Sequence, residues 1–568
     1  PAGANTTHSF YYVNNSYAVR PALHLNLTKA LEREQNADVW DGTIPEYGVN
    51  WSSFDNAQGT GTETDPYRVD SGEKLAWMIN NYTRNVVYGK YFKQTADINL
   101  DNKPWIPIAY IENGNFQFLY DGNGKVIYNL NVNNIVSRDD TSALGGLFGK
   151  VGSYSKISNL SIIGGSVYAE HTMGGKANAG ALAGVLYVTK ITIENCHSIG
   201  VKIDSYMSGI KETDTDSVVY CCIGGLIGNA SGSSTVKNCS SNNDLSASNT
   251  NIAHSVGGIC SYSSNANFID CINYGSITLY KLNALGAVMC GGIVGSCERT
   301  VILNSENKGD IYVSNLNSGH TRVGGIAGVI NSSGKNALIA YSTNYGKIYA
   351  EHNAGGFESC VGGITGTCLE SDIIYSVNFG GVYAKGTNAP TARVGGITGK
   401  LSGTTCKMLF CYNASYVASN IQNNSDAGGL VGNFYAGVEV VDSSYYDTDL
   451  VGVFTNDYST GYSATKATPA SSTVTNTSGL TSSEMRVVTT EIAPTEMVGF
   501  SDSNWDFVKG KYPTFPTATG TDISSATTSD IPESVPYNAS YYMPDVTVSM
   551  GGTVLSKNVD YIIIYDDV

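Results

Sequence analysis

Charged residues, basic clusters and long apolar runs are scarce in this chain of 568 residues. Only 14% of the residues are charged. The chain has 33 lysines and arginines and 49 aspartates and glutamates, which gives a net charge of −16. Because the acidic balance includes no basic run, the composition argues against nucleic acid or an anionic membrane surface as a partner. No apolar stretch approaches the roughly 18 residues of a membrane-spanning helix, so membrane insertion is not expected.

Proline is almost absent from the middle of the chain. Pro390 is the only proline between Pro107 and Pro469. Since proline cannot donate to a sheet ladder, this stretch favours continuous strand pairing. Glycine reaches 64 residues and tyrosine 38, and so many glycines with so few charges argue against a mainly helical protein. The hydrophobic content of 42% argues against a disordered chain.

The proline-poor stretch contains an internal repeat, in which two glycines are followed by Leu or Ile. The copies begin at Gly145, Gly224, Gly257, Gly291, Gly324, Gly362, Gly395 and Gly428, with a degenerate copy at Ala179. Successive copies start 34, 45, 33, 34, 33, 38, 33 and 33 residues apart. Spacings that centre on one value identify a repeat protein.

Each copy has the pattern of short strands joined by turns. After Gly291 come the segments TVILNSEN and GDIYVSN and then the polar turn LNSGHTR, with period-2 alternation and no helical stripe. This pattern excludes ankyrin and tetratricopeptide repeats, which need two amphipathic helices per copy. The sequence therefore predicts a right-handed parallel β-helix, a solenoid of about ten coils of ~33 residues stacked ~4.8 Å apart.

A second recurring segment marks a corner of each coil. Segments such as NSENKG and YSTNYG place Cys or Ser, then Asn, then Gly at fixed spacing. Asn and Gly tolerate positive φ, so we expect the chain to turn sharply there. The small residues expected to stack inward at the first position are Cys196, Cys239, Cys271, Ser305, Ser342 and Ser376. The aliphatic residues expected to point inward after the corner are Ile277, Ile311, Ile348 and Val382.

These segments resemble a known family. The GGI-x-G repeats, the entry segments at Gly59–Met78, Gly89–Leu100 and Phe116–Leu130, and the segment SSYYDT at Ser443–Thr448 are similar to the GLUG-motif repeat family of bacterial cell-surface and secreted proteins. The resemblance covers roughly residues 59–518. It implies a β-helix displayed outside the cell, often within adhesins, and it implies no reaction.

Five segments are expected along the chain. Residues 1–58 form an N-terminal segment, 59–144 the entry cap and first coils, 145–460 the regular repeats, and 461–518 a Ser/Thr-rich strap with an exit segment. Residues 519–568 resemble the opening strands of an Ig-like module and are too few for a complete seven-stranded sandwich. The expected fold class is therefore all-β, a solenoid followed by a partial Ig-like β-sandwich.

Motifs that carry catalytic chemistry are missing from the sequence. None of the seven histidines forms HExxH, the glycine-rich strings lack the Lys-Ser/Thr ending of a phosphate loop, and no CxxC occurs. Acidic residues in the coils, such as Asp270, Glu306 and Asp310, fall in different registers, whereas a glycosidase needs two facing carboxylates. We therefore expect no catalytic residue, no metal and no cofactor.

The twelve cysteines allow two interpretations. The pairs close enough in sequence to be disulfide candidates are Cys290 with Cys297, Cys360 with Cys368, and Cys406 with Cys411. Their separation across a coil determines whether a disulfide can form, so both free thiols and disulfides stay open.

Aromatic residues recur at two coil positions. Tyr312, Tyr349 and Tyr383 each follow an inward aliphatic residue, so alternation places them outside in one column. The residues of the second register, just after the corner Asn, are Tyr274, Tyr345 and Phe379. Exposed rings in a row can stack on sugars, and stacked rings can also serve only to stabilise a solenoid.

The sequence predicts a non-enzymatic structural or adhesive protein of the bacterial cell surface, whose partners are glycans or host surface proteins. One alternative is a subunit of an extracellular filament that assembles head to tail with copies of itself through incomplete terminal modules. Another is a polysaccharide-degrading enzyme, since parallel β-helices host such enzymes. Binding assays, electron micrographs and product assays separate the three.

Overall fold

The computed structural model describes most of the chain from residue 33 to residue 515 and three short strands beyond it. The described residues are 33–82, 86–110, 117–138, 142–208, 221–248, 254–281, 286–315, 319–332, 337–352, 357–386, 391–403, 406–419, 425–435, 439–451, 473–500, 504–515, 527–529, 547–550 and 553–554.

The repeats form a parallel β-solenoid, and one sheet shows its levels most clearly. This sheet has nine strands, each of which ends at the first glycine of a repeat motif or at its equivalent. They are Ala143–Gly145, Ala177–Gly180, Cys221–Gly224, His254–Gly257, Val288–Gly291, Thr321–Gly324, Glu358–Gly362, Thr391–Gly395 and Ser425–Gly428. The predicted parallel solenoid is confirmed, with about eight turns between these nine strands instead of about ten coils.

Two further sheets complete the coils. A six-stranded sheet consists of Leu245–Ser248, Ile277–Lys281, Ile311–Asn315, Ile348–His352, Val382–Lys385 and Val417–Ser419. A 33-stranded sheet wraps the rest of each coil. Its strands up to the third coil are Asp38–Val39, Tyr67–Val69, Lys90–Gln94, Ile98–Asn99, Pro104–Trp105, Phe118–Val136, Phe148–Val151, Lys156–His171, Ala183–Tyr187, Ile191–Glu194, His197–Ile199, Lys202–Met207, Ile227–Lys237 and Ser240–Asn242.

The later coils contribute the remaining strands of the large sheet. They are Cys260–Ile269, Ile272–Asn273, Val294–Glu298, Val301–Leu303, Glu306–Asn307, Ala327–Asn331, Leu338–Ala340, Thr343–Asn344, Thr365–Leu369, Asp372–Ile374, Val377–Asn378, Thr398–Ser402, Lys407–Leu409, Tyr412–Asn413, Val431–Phe434, Val440–Asp442, Tyr445–Asp447, Thr473–Thr475 and Ser478–Leu480. The last two strands pair in parallel with Val440–Asp442 and Tyr445–Asp447, so part of the predicted Ser/Thr-rich strap is one more incomplete coil. The rest of that strap, 461–472, lies outside the described residues.

From Cys260 onward, identical positions of successive coils stack on one another because each pair of neighbouring strands keeps a single register. The aliphatic residue after each Gly-Gly pair is fully buried, as are the inward residues that follow the Asn corner. The residues of the first column are Ile259, Ile293, Ile326, Ile364 and Ile397, and those of the second are Ile277, Ile311, Ile348, Val382 and Val417. Each buried aliphatic side chain contributes about 1.5–3 kcal/mol, so the repeat itself supplies the core.

The second glycine of the motif is required by a close approach. A Cβ on Gly325 would overlap the carbonyl of Gly363 in the next coil and the side chain of Asn344. The glycine pair therefore lets two backbones and a carboxamide share one corner.

Asparagines form a continuous ladder beneath these corners. The Nδ2 atoms of Asn273, Asn307, Asn344 and Asn378 each donate to the Oδ1 of the next asparagine at 2.7–2.8 Å. Each also donates to the carbonyl two residues further along its own chain segment, at 2.8–2.9 Å. The ladder ends at Asn413, and all five side chains are fully buried. Satisfied donors make this polar column compatible with an apolar interior.

The predicted column of small residues at the corner is present. The Sγ atoms of Cys196, Cys239 and Cys271 contact backbone carbonyls of the preceding coil and of their own strand. In later coils the Ser305 and Ser342 hydroxyls donate to the carbonyls two residues before them. Cysteine and serine are interchangeable here because both are small and both can donate to a carbonyl.

An aromatic cap with one helix begins the solenoid, and the sequence patterns did not predict that helix. The helix Gly72–Asn81 begins after Ser71, whose hydroxyl accepts from the Lys74 backbone N–H, and a 3-10 turn occupies Trp51–Ser53. Trp51 packs edge to face on Trp77 with 5.3 Å between ring centroids. Both indoles belong to the same hydrophobic core as the coils, so the cap covers apolar side chains at this end.

An exit segment, residues 481–515, packs on the outside of the later coils. It begins with the helical turn Ser482–Met485, closed by a capping box between Thr481 and Glu484. Its Trp505 stacks on Phe500, packs at a tilt against Phe515 and lies near Tyr375 of the coils. These rings form a second core that is separate from the interior of the solenoid.

The coil residues beneath the exit segment differ from their equivalents elsewhere. One corner position has positive φ in every regular coil, and in early coils it is occupied by residues such as Asn159, Asn195 and Asn238. In the covered coils the same position holds Tyr341, Tyr375 and Phe410, whose rings stack 5.0 and 4.9 Å apart. Bulky residues rarely adopt positive φ, so contact with the exit segment offsets this backbone cost.

Three antiparallel strands lie beyond the solenoid. Thr527–Ser529 pairs with Thr547–Met550, which pairs with Thr553–Val554. The other residues of the predicted Ig-like segment, and those of the N-terminal segment before residue 33, lie outside the described part of the chain.

Candidate functional site

The predicted outward column of tyrosines lies on the six-stranded sheet. Tyr312, Tyr349 and Tyr383 are direct partners on three successive strands. The rings of Tyr312 and Tyr349 are stacked, 4.8 Å apart and 6° from parallel, while Tyr349 and Tyr383 are 5.3 Å apart and tilted by 46°. Such pairs stabilise neighbouring strands.

Polar side chains border this column. The hydroxyl of Tyr312 donates to Glu351 Oε2 at 3.4 Å, and the Nζ of Lys385 lies 3.1 Å from Glu351 Oε1. Burial, followed by the charge of Glu351, raises the pKa of Tyr312, so its phenol stays a neutral hydrogen-bond donor near neutral pH. The column thus combines rings with one carboxylate and one ammonium group.

Tyr280 extends the column at its N-terminal end. Its ring lies 5.5 Å from that of Tyr312, tilted by 49°, and the residue is 52% exposed. The stacked rings of Tyr312 and Tyr349 cover each other's faces, so their edges and hydroxyls face solvent. Tyr383, which was predicted to lie outside with them, is buried. Tyr280 has no further ring on its outer side among the described residues. Tyr280 could not be predicted as part of the column because it pairs in register with Ser314, two residues away from the tyrosine position.

The second aromatic register is divided into two parts. Tyr345 and Phe379 stack with 5.5 Å between centroids, but Lys308 occupies the equivalent place between Tyr274 and Tyr345 and lies over the Tyr274 ring at 5.1 Å. Phe379 is also 6.1 Å from Tyr512 of the exit segment. This register therefore contains the single ring of Tyr274 beside Lys308, and the stacked pair of Tyr345 and Phe379, which the exit segment partly covers.

All twelve cysteines are free and buried, so none of the three candidate disulfides is present. The members of each pair have other neighbours. Cys290 and Cys297 lie on different strands of one coil, in register with Val323 and Ile330 respectively. Cys360 lies in an outward column between Arg322 and Arg393, away from Cys368 in the core.

The thiol that contacts Cys368 is that of Cys406, one coil further along. Burial raises the pKa of the Cys368 thiol, and the hydrogen bond with Cys368 lowers the pKa of the Cys406 thiol. Cys411 instead contacts the carbonyls of Ile373 and Leu409, in the same corner column as the serines. Closeness along the sequence did not identify the thiols that are in contact. Coils stack at about 33 residues per level, so a cysteine meets one from the neighbouring coil.

Groups of three or more His, Cys, Asp or Glu side chains arranged to hold a metal ion do not occur within the described ranges. In the same part of the chain, no helix has the length and apolar character needed to span a membrane.

Comparison with solved structures finds a chain that is similar to this one. No protein-family model and no curated protein matches the sequence. A crystal structure from Bacteroides ovatus, of a protein provisionally assigned as an immunoglobulin A1 protease, is similar to this chain at 15% identity with a TM-score of 0.32. The match covers 80% of this chain and 94% of the other. A TM-score this low supports no inference about function.

Proposed function

We propose that this chain is a non-enzymatic, extracellular structural and adhesive protein of the bacterial surface, and that the tyrosine column binds glycans. The observation that supports this proposal is the exposed ring of Tyr280 at the end of a stacked column bordered by Glu351 and Lys385. A right-handed coil, membership of the GLUG-motif family and an Ig-like module at residues 519–568 belong to the same proposal.

The chemistry of the column suits a weak, extended contact with sugars. A sugar ring offers C–H groups to an aromatic face and hydroxyls to polar neighbours, and tyrosine supplies its area at low entropic cost. Among the described residues of the column, Tyr280 is the exposed end, whereas Tyr383 at the other end is buried, so the binding site is centred on Tyr280. The edges and hydroxyls of Tyr312 and Tyr349 extend it along the column.

The head-to-tail filament is the second candidate function. Its interface would need a terminal coil with unpaired backbone groups, since such edges recruit further strands. At the N-terminal end, the helix Gly72–Asn81, with Trp77, and the 3-10 turn with Trp51 pack over the core, which weighs against strand addition at that position. Filaments in electron micrographs of the purified chain would favour this second candidate.

The experiment is a glycan array probed with the wild-type chain and with Tyr280→Ala and Tyr312→Ala. Tyr47→Ala is the matched control because this exposed tyrosine lies outside the repeat coils. We expect specific binding that falls about tenfold in the column variants, since loss of one aromatic contact is worth about 1–3 kcal/mol. Equal binding by all four proteins, or release of sugar fragments by the wild type, would contradict the proposal.

A further inference from the structure

Three cationic side chains from two coils, with one coil between them, lie on one side of the solenoid. Arg322 and Arg393 lie on the nine-stranded sheet and are the two in-register neighbours of Cys360. Lys400 lies on the following strand of the coil, and its Nζ is 3.1 Å from Glu358 Oε1. Arg393 also pairs with Glu358 through Nη1. One carboxylate therefore serves two of the three cations.

Arg322 is the cation without compensation. Among the described residues, no carboxylate lies within ion-pair distance of its guanidinium, and it adds to the charge around Lys400 and Cys360. In the next coil Asp426 stands opposite Arg393 in the strand register. The described side chains of the group carry three positive formal charges and one negative, in a chain of net charge −16.

Partial burial makes this excess charge costly. The side chains of Arg393, Lys400 and Glu358 are only 13%, 12% and 19% exposed. Burial lowers the pKa of Lys400, and the charges of Arg393 and Arg322 lower it further. An anion placed between the cations would relieve both effects, because opposite charges favour the ionised form.

An aromatic ring completes the group. Lys400 Nζ lies 4.3 Å and Arg393 Cζ 5.7 Å from the centroid of the Tyr435 ring. Tyr435 is 54% exposed, and its backbone is held by hydrogen bonds with Leu401 and Ser402. A ring fixed beside cations can contact the body of a ligand whose charged group they bind.

We propose that Arg322, Arg393, Lys400 and Tyr435 form a binding site for an acidic saccharide, with the two guanidinium groups on its carboxylate or sulfate and the sugar ring against Tyr435. The planar fork of a guanidinium group can bind two oxygens of a carboxylate or of a tetrahedral oxyanion at once. The site is separate from the tyrosine column and rests on the proposed function only in taking the ligand to be a saccharide. An exposed ring beside the cations favours a saccharide over an acidic peptide, which needs no such platform.

The test is calorimetric titration with sialyllactose, a heparin tetrasaccharide, neutral lactose, inorganic sulfate and a poly-glutamate peptide. The proteins are the wild type, Arg322→Gln, Lys400→Gln and Tyr280→Ala. Lys156→Gln is the charge-matched control, since this lysine pairs with Glu194 in an early coil. Arg322→Gln removes no ion pair among the described residues, so it keeps the test valid should Lys400→Gln fold poorly.

We expect one of the acidic saccharides to bind and lactose not to bind at this site. Affinity should fall about tenfold in Arg322→Gln and Lys400→Gln, as expected for loss of a charged hydrogen bond, and should not change in Lys156→Gln. It should also weaken as salt is raised. Unchanged affinity in both cluster variants, equal binding of poly-glutamate, or binding of inorganic sulfate only would overturn the inference.

The two proposals fail separately. Glycan binding lost in Tyr280→Ala but kept in Arg322→Gln would refute the acidic site and leave the tyrosine column supported. The reverse pattern would support the acidic site and refute the column.

Discussion

Replacing Asn344 by alanine is expected to destabilise the later coils by about 3 kcal/mol. The Asn344 carboxamide makes three hydrogen bonds in the buried ladder: it donates to Gly346 O and Asn378 Oδ1, each at 2.8 Å, and accepts from Asn307 Nδ2 at 2.8 Å. Each such bond is worth about 1 kcal/mol net. In the alanine variant the carboxamide of Asn307 still donates to Gly309 O, and that of Asn378 still accepts from the Gly380 N–H. The neighbouring asparagines therefore keep a hydrogen-bond partner, and only the three bonds of Asn344 are counted as lost.

Asn344→Asp sharpens the prediction. The aspartate has nearly the same shape but no donor, and it would place carboxylate oxygens against the Gly346 carbonyl and Asn378 Oδ1. Because an uncompensated buried charge costs about 3–5 kcal/mol, aspartate should destabilise more than alanine. If the cost came only from the cavity left by the removed side chain, alanine would destabilise more than aspartate, because aspartate fills the same space as asparagine.

Urea unfolding, followed by hydrogen exchange of peptides from the same coil, measures both variants. Hydrogen exchange is needed because solenoids can unfold in parts. Lys347→Ala is the control in the same coil, on an exposed residue, and it should change stability by less than about 0.5 kcal/mol. If Asn344→Ala matches this control, the ladder contributes nothing and the reasoning fails.

Three further predictions concern other parts of the molecule. Trp505→Ala should free the exit segment for protease cleavage while the coils stay folded, since removing a buried indole costs about 3–5 kcal/mol. Mild oxidation should join Cys368 to Cys406, whose thiols are in contact, as peptide mapping would show. Burial raises the pKa of Asp372 to about 6, so stability should fall as pH rises from about 4 to 6, and Asp372→Asn should remove this fall in melting temperature.

Each of these predictions has a clear opposite. If the protease cleaves the coils of Trp505→Ala together with the exit segment, the two cores are not separate. Val508→Ala, at an exposed residue of the same segment, is the control. A disulfide between Cys406 and Cys411 would contradict the described packing. A melting curve of Asp372→Asn that follows the wild type from pH 4 to pH 7 would show that this carboxyl is not buried.

The regular coils were predictable because the same residue types recur at each level. Gly-Gly followed by Ile marked each repeat, and the Asn-x-Gly pattern predicted a corner. In the later coils the positive φ at that corner lies three residues before the Asn, as at Asp270 and Asn304, and not at the Asn or Gly themselves. Alternation then placed Ile311 inward and Tyr312 outward, as the structure has them. Repetition turns a weak local pattern into a strong one, since each coil repeats the test.

The cap helix and the exit segment were not predictable in the same way. The helix Gly72–Asn81 occurs once, so no repetition reinforced its signal. The change from Asn238 to Tyr341 and Tyr375 at a corner was visible in the sequence, but its meaning depends on a segment more than 100 residues away. Contacts of this length cannot be inferred from local pattern alone.

The acidic-saccharide site was missed for a related reason. The sequence contains no basic run, and Arg322 lies two coils before Arg393 and Lys400, at outward positions that vary between repeats. Coil stacking brings residues about 33 positions apart to neighbouring levels. Charge clusters on a solenoid must therefore be sought at the repeat spacing instead of along the chain.

The most direct test of the account is the register on which both proposed surfaces depend. In Tyr312→Cys/Tyr349→Cys the two Cα atoms face each other on neighbouring strands, about 4.8 Å apart and within disulfide range. In Tyr312→Cys/Glu351→Cys they are diagonal, about 7–8 Å apart. The account predicts rapid cross-linking in the first pair and little in the second, while the reverse order, or no cross-link in either, would contradict the stacked columns.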